Sequence, residues 1–307
     1  MANIQTPEPT KKALRAKFRG RKTLRGKTVP RYPDTAEREY KRVMSAYMRL
    51  MNHELKQRLP AVMKEYTRER RGDSRMDDMR DLEFTVREMI RDIKRALGKS
   101  IEEFDLERRL APIARLSKNT TLREWKRAVK STLGIDLLSE HYNSDFYEMS
   151  LRRWVDDNVA KIKSIPYDDL DEMQDIVLDG YRNGRSIRDI QRDIQETYNS
   201  DKHKALMLAR DQIASLNGQL AEQQQRDAGV SRYMWSTSHD ARVRECHDEL
   251  DGQVFSWDEP PEMWYETKTK GRVYTGRHCH PGGDYACRCV AIPVFDFDTL
   301  NIPAEES

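Results

Sequence analysis

The sequence predicts a mainly α-helical protein: an elongated helical domain over residues 34–165, then a small α+β C-terminal module over 166–295. A disordered basic arm at 1–33 precedes them and an acidic tail at 296–307 follows. Three observations carry this. Apolar residues recur every three to four positions from Val43 to Leu220, which is the period of one helix face. After Gly229 the period falls to two, as in half-buried strands. Before Pro33, ten basic residues stand against a single acid, Glu8, a pattern that cannot bury a core. At roughly 100 to 200 residues per domain, a chain of 307 residues accommodates two.

The arm carries Lys11, Lys12, Arg15, Lys17, Arg19, Arg21, Lys22, Arg25, Lys27 and Arg31, a net charge of +9 in a chain whose total is +3, so the remainder carries −6. Pro7, Pro9, Gly20, Gly26, Pro30 and Pro33 break any helical period in it. Beyond it, a long helix is expected to place Val43, Tyr47, Leu50, Met51, Leu55, Leu59, Val62, Met63 and Tyr66 on one stripe, with a kink at Pro60. A second carries Met79, Leu82, Val86, Met89, Ile90, Ile93 and Leu97 and stops near Gly98. A third runs through Leu106, Leu110, Ile113 and Leu116, interrupted by Pro112. Thr121 opens a fourth with Leu122, Trp125, Val129 and Leu133, ending at Gly134. A fifth holds Tyr142, Phe146, Met149, Trp154, Val155 and Val159 up to Pro166. Stripes at this spacing are core, so residues 34–165 are expected to hold no catalytic group.

From Pro166, Leu170, Met173, Ile176, Val177 and Tyr181 continue a helix to a break at Gly184-Arg185-Ser186. A helix with Ile187, Ile190 and Ile194 follows, then another from about Lys202 to Gly229. Strands are expected at Arg232–Thr237, Gln253–Trp257, Gly271–Thr275 and Cys289–Val294.

Charged residues make up 35% of the chain, against about 25% in an ordinary globular protein. Mean hydropathy is −0.90, and no run approaches the roughly 18 apolar residues of a spanning helix, which argues against a membrane partner. No apolar segment followed by a small-residue cleavage site marks the N-terminus as a secretory signal. The arm's density of charge suits the backbone of double-stranded DNA, where lysine and arginine displace condensed counterions whatever the base sequence. Between Lys11 and Arg31 only Phe18 is aromatic, so stacking on single strands is not expected.

The order Ala209-Arg210, Asn217, Ala228-Gly229-Val230, Tyr233-x-Trp235-x-Thr237-Ser238-x-Asp240, Arg242-Val243-Arg244 and His247 continues as Leu250-Asp251-Gly252-x-Val254-Phe255, Pro260-Pro261, Pro281-Gly282 and Cys287-Arg288-Cys289. Over roughly Ile162 to Pro293 this resembles the C-terminal module of phage head morphogenesis proteins, the Mu F-like minor capsid proteins. Its most specific part joins Asp240, Arg242, Arg244, His247, Asp251 and Gly252 with the later Cys-Arg-Cys. Two positions depart from the family: Asp211-Gln212 stand where Thr-Glu is frequent, and Arg244 and His247 where many relatives have a Cys-x-x-Cys. The resemblance implies a low-copy structural protein of the virion, inside the capsid near the portal protein and in contact with major capsid or scaffold protein. It would be assembled in the host cytoplasm and would influence genome packaging or ejection.

All four cysteines lie between Cys246 and Cys289, too few for a disulfide scaffold. Cys287 and Cys289 alternate along a strand-like stretch and so face one side. With His247 and His280 they make a candidate Cys2His2 set for structural zinc; Cys246, His278 and Cys279 are possible substitutes, and plain buried thiols are the other reading. Asp240 with Arg242 and Arg244 is read as an ion-paired loop rather than a phosphate site, because two arginines one residue apart do not make a phosphate-tracking groove.

Rival functions remain at this level. A metal-dependent nuclease would use His239, His247, His278 and His280, but no constellation of a general base with a downstream asparagine and histidine follows the Cys-Arg-Cys. A transferase built on Trp235-Ser236-Thr237-Ser238 lacks a downstream Glu-x-Glu, since Glu37-Arg38-Glu39 lies upstream. A generic nucleic-acid-binding adaptor would need only the arm and a helical body.

Overall fold

The computed structural model of the protein describes residue 6, residues 8–71 and residues 76–302. Among the described residues it is 64% helical, with seven helices and a sheet-containing C-terminal part. In chain order the elements are α1 (Glu8–Lys17), β1 (Thr23–Arg25), α2 (Asp34–Arg71), α3 (Met76–Phe104), α4 (Leu106–Leu133), a 3-10 turn (His141–Asn143), α5 (Asp145–Arg182) and α6 (Ile187–Asp227). Then come β2 (Arg232–Ser236), α7 (Glu245–Leu250), β3 (Val254–Ser256), β4 (Glu262–Thr267), β5 (Gly271–His278) and β6 (Val290–Asp296). Among the described residues no helix is long and apolar enough to cross a membrane.

The chain divides into two compact units of discontinuous segments, not in sequence order at residue 165. One comprises Met1–Glu37, Pro112–Trp154 and Arg210–Ser307, the other Arg38–Ala111 and Val155–Ala209.

The second unit is helical. Of the expected α2 stripe Tyr47, Met51 and Leu55 are buried, while Val43 and Leu50 are half-buried and Tyr40, Met44 and Met48 take their place in the core; on α3, Val86, Ile90, Ile93 and Leu97 are buried on one face, as their spacing predicts. The side chains of Val62, Met63, Tyr66, Met79, Leu82 and Tyr181 lie outside the described ones. Proline ends fewer helices than expected. α4 runs through Pro112, and α2 runs through Pro60, where a kink and not an end was expected; both prolines are exposed, so the carbonyl left without an N–H partner can bond water. α5 runs through buried Pro166, flanked by Ile162 and Leu170, whose burial holds the turn. Gly98 is not a helix stop either: α3 continues to Phe104, and a Cβ at Gly98 would lie 3.2 Å from Tyr167 Oη, so a close approach accounts for it. At Gly184 the backbone does turn left-handed, and Ser186 caps α6, its Oγ accepting from Asp189 N at 3.1 Å. From there α6 is one helix of 41 residues, without the interruption expected before Lys202.

The first unit holds the sheet. Four antiparallel strands lie in the order β1-β6-β2-β3, with Leu24 opposite Phe295, Tyr233 opposite Pro293 and Tyr233 also opposite Phe255. β4 and β5 form a separate hairpin. Neither β1 nor β4 was expected: three residues carry too little alternation to see, and in Glu262–Thr267 the apolar residues Met263, Trp264 and Tyr265 are consecutive rather than alternating. Phe146 and Met149, expected in the core, are exposed.

The basic segment is the largest departure from expectation, since its described part is not disordered. α1 buries Leu14, Phe18 stacks on Phe297 at 5.7 Å between centroids, and β1 pairs with β6. Gly26 N donates to Pro293 O at 2.8 Å, and a Cβ at Gly26 would lie 3.2 Å from Ile292 and Pro293. Phe297, Leu300 and Ile302, within the expected acidic tail, are buried as well. A hydrophobic contact every few residues is enough to fix a chain whose remaining side chains point to solvent. Residues 1–5, 7 and 303–307 of these segments lie outside the described residues.

In the helical unit, Asp169 on α5 and Asp201 on α6 are both buried, and Lys204 pairs with Asp201 at 2.8 Å. Burial, then the charge and hydrogen bond of Asp201, raise the Asp169 carboxyl to about 7. Because this lies above the ordinary carboxyl value of 3.8, its stabilising contribution is complete below about pH 4 and is lost as pH rises through about 7. Asp169→Asn should therefore reduce the fall in melting temperature between about pH 5 and pH 8. An unchanged fall would show that Asp169 is ionised in the folded unit.

Candidate functional site

The sequence motifs converge on the loop before β6 and the short helix α7. Helix α7 turns Cys246, His247 and Leu250 inward. The loop 281–289 sits directly on α6: a Cβ at Gly282 would lie 2.4 Å from Ala214 O, and one at Gly218 would lie 2.5 Å from Pro281 O. Only glycine fits at Gly282, which is also left-handed at φ +87°. Asp211 on α6 anchors the loop by accepting from Ala286 N.

This framework brings His247, Cys287 and Cys289 together, all buried. His247 Nδ1 lies 3.6 Å from Cys289 Sγ, and Nε2 lies 3.1 Å from Asp284 Oδ2. Gly282 N and Cys289 N each donate to Cys287 Sγ at 3.4 Å. Asp284, 4% exposed, is held by Arg244 and by Arg277 Nη1, the latter at 2.9 Å. Burial opposes ionisation of Asp284, but the hydrogen bond from His247 and the arginine charges outweigh it and hold the carboxyl below its usual range. Burial would also depress His247. The hydrogen bonds to Asp284 and Cys287 reverse this and raise it to about 9. Cys287 is stabilised as a thiolate by Cys289 and His247, whereas the adjacent Cys287 and burial push the Cys289 thiol up.

His280 is not part of this group. Its Nδ1 meets Tyr233 Oη at 2.9 Å and its ring packs edge-on against Trp257, so the expected Cys2His2 set is corrected to three side chains. Tyr233 of β2 and Trp257, just after β3, hold the imidazole. Cys246 belongs to the core beside Met263, His278 and His239 are exposed, and all four cysteines are free. Asp284 had no motif to announce it, yet a buried histidine that presents one nitrogen to sulfur needs a partner for the other.

The remaining motif residues shape the surroundings. Asp240 accepts from Arg242 N at 3.0 Å and pairs with Arg288, which pins the loop after β2. Asp251 Oδ1 accepts from Thr237 N at 2.8 Å and Thr237 Oγ1 at 3.2 Å, and Gly252 adopts φ +74°, which requires glycine. A cavity of about 110 Å³ opens over the cluster, with Arg210, Arg242, Arg244 and Arg288 on its walls and His247, Cys287 and Cys289 in its lining. Pairing with Glu37, Asp240 and Asp284 offsets much of that positive charge.

A helix-supported small sheet, with a histidine and two thiols under an arginine-walled cavity, defines a compact α+β module. Residues 171–292 match the family described as Phage Mu protein F like protein. Over this segment the chain is similar to that family, in agreement with the resemblance its motifs carry. It is also 32% identical over 209 residues to an uncharacterized protein of Haemophilus influenzae, a match covering 66% of this chain and 44% of that protein. The chain thus matches less than half the length of this curated relative. No solved structure matches.

Asp251→Ala would leave the N–H of buried Thr237 without its acceptor. It should cost about 1–3 kcal/mol of unfolding free energy, read by chemical denaturation. A loss below a few tenths of a kcal/mol would show that this loop is not held by Asp251.

Proposed function

We propose that the protein is a minor capsid protein of a tailed phage, portal-associated inside the procapsid, that binds packaged double-stranded DNA without sequence preference and aids head assembly or genome delivery. The Mu F-like match over residues 171–292 carries this reading. Scaffold or major capsid protein is the second partner, and the virion interior is the site of action. The role is structural, with no substrate turned over. In support, Cys287 and Cys289, the side chains best placed to act as nucleophiles, are only 2% and 4% exposed.

The DNA contact is the basic segment, now as a structured edge rather than a loose arm. Edge strands that carry cations resist pairing with other chains and leave the charge on the surface. Thr23 and Arg25 of β1 are exposed, as are Lys12, Arg19, Arg21, Lys22, Lys27 and Arg31. Arg15 is engaged by Asp298 and Lys17 by the Leu133 carbonyl at 3.4 Å, so these two contribute less.

Cross-linking of purified procapsids tests the assembly role: contacts with the portal protein are expected, and absence of the chain from procapsids would contradict it. For the DNA role, changing Lys11, Lys12, Lys22 and Lys27 to Gln should weaken duplex binding at low salt. It should also flatten the dependence of log affinity on log salt by about 0.9 for each phosphate that is no longer neutralised. An unaltered slope would place the DNA contact elsewhere.

A further inference from the structure

His247, Cys287 and Cys289 offer one nitrogen and two sulfurs within 4.8 Å of one another, and no other such group of three is found among the described residues. We propose that these three side chains bind one zinc ion through His247 Nδ1 and the two Sγ atoms, with the fourth coordination position filled from the arginine-walled cavity. The proposal does not depend on the role in head assembly.

Four features fit zinc. Tetrahedral coordination at Zn–N of about 2.0 Å and Zn–S of about 2.3 Å sets ligand-to-ligand edges of roughly 3.5–3.8 Å. The separation of His247 Nδ1 from Cys289 Sγ, 3.6 Å, falls on that edge before any metal is placed. Next, Nε2 of His247 is turned to Asp284, so the carboxylate keeps the Nε2 proton and leaves Nδ1, which faces the sulfurs, as the nitrogen that gives up its proton to a metal, the carboxylate–histidine arrangement of metal ligands. Backbone N–H groups of Gly282 and Cys289 aim at Cys287 Sγ, as suits a sulfur that carries negative charge. Finally, two sulfurs and an imidazole select zinc over magnesium or calcium, which prefer oxygen. On binding, both cysteines coordinate as thiolates and His247 as a neutral imidazole, and the displaced protons pass to solvent.

All three ligands line the same cavity of about 110 Å³, which has room for a water molecule or a small anion. His280 is held by Tyr233 and Trp257, so the fourth ligand comes from the cavity rather than from the expected second histidine. The rival for the same atoms is a thiol nucleophile with His247 as base and Asp284 as its orienting acid. That device needs one accessible sulfur, whereas here two enclosed sulfurs share the imidazole.

The test uses the full chain, purified without chelator. Elemental analysis should find about one zinc per chain. Replacement by cobalt should give the visible bands of a tetrahedral site together with thiolate charge-transfer absorption. Cys287→Ser and Cys289→Ser should each remove most of that absorption, and Cys279→Ser and His280→Asn should leave the spectrum unchanged. Alkylation with iodoacetamide, mapped by mass spectrometry on the parent protein, reads the site without any variant. Cys287 and Cys289 should be protected as isolated and modified after chelation. A chain that takes up no zinc or cobalt, or whose Cys287 or Cys289 is alkylated equally with and without added zinc, overturns the proposal. A cobalt spectrum altered by Cys279→Ser or His280→Asn overturns the open fourth position.

Discussion

Strand β6 is the interaction on which the rest of the sheet-bearing unit depends. Six consecutive residues, Val290 to Phe295, are buried, an apolar run of the kind found in a strand covered on both faces. One edge of β6 pairs with β2 and thereby with the Mu F-like module; the other pairs with β1 from the N-terminal segment. At Pro293, which has no N–H to give, the carbonyl still accepts from Gly26. Residues far apart in sequence are thus joined across one strand, and Trp125 of α4 stacks on Phe295 at 5.9 Å to tie the helices to the same run.

The chemistry of the module follows from where β6 begins. Cys287 and Cys289 lie in the three residues before its first residue, so the ladder from Val290 onward fixes how far their side chains can move. Opposite them, His247 is presented by α7, a helix of six residues too short to be stable alone and held by Cys246 and Leu250 in the aromatic core with Tyr233, Trp235 and Trp257. The arginines around the cavity serve this frame first. Arg244 holds Asp284, and Arg288 and Arg242 hold Asp240, which makes the cavity a charge-paired rim rather than an open basic patch.

Much of this was legible in the sequence, and the exceptions have physical causes. Helix faces such as Val86-Ile90-Ile93-Leu97 were readable because burial repeats at the helical period. Helix ends were less so, because an exposed proline costs one hydrogen bond that water can replace, as at Pro112. The pairing of Cys287 with Cys289 followed from spacing alone, and His247 from its motif. His280 could not be excluded by spacing, since what removes it is an aromatic environment formed by residues 233 and 257. The order of the basic segment was hidden for the opposite reason: three or four apolar contacts, Leu14, Phe18 and Leu24 among them, decide its placement, while ten cations dominate its composition.

Hydrogen exchange resolved to single amides measures directly whether the N-terminal segment completes the sheet at β6. The account predicts slowed exchange at Gly26, whose N–H is bonded to Pro293, and at Phe297, whose N–H is bonded to Lys22 O, comparable to the ladder between β2 and β6. Exchange at Gly26 and Phe297 at the rate of an unstructured peptide, with the β2–β6 amides still protected, would contradict it.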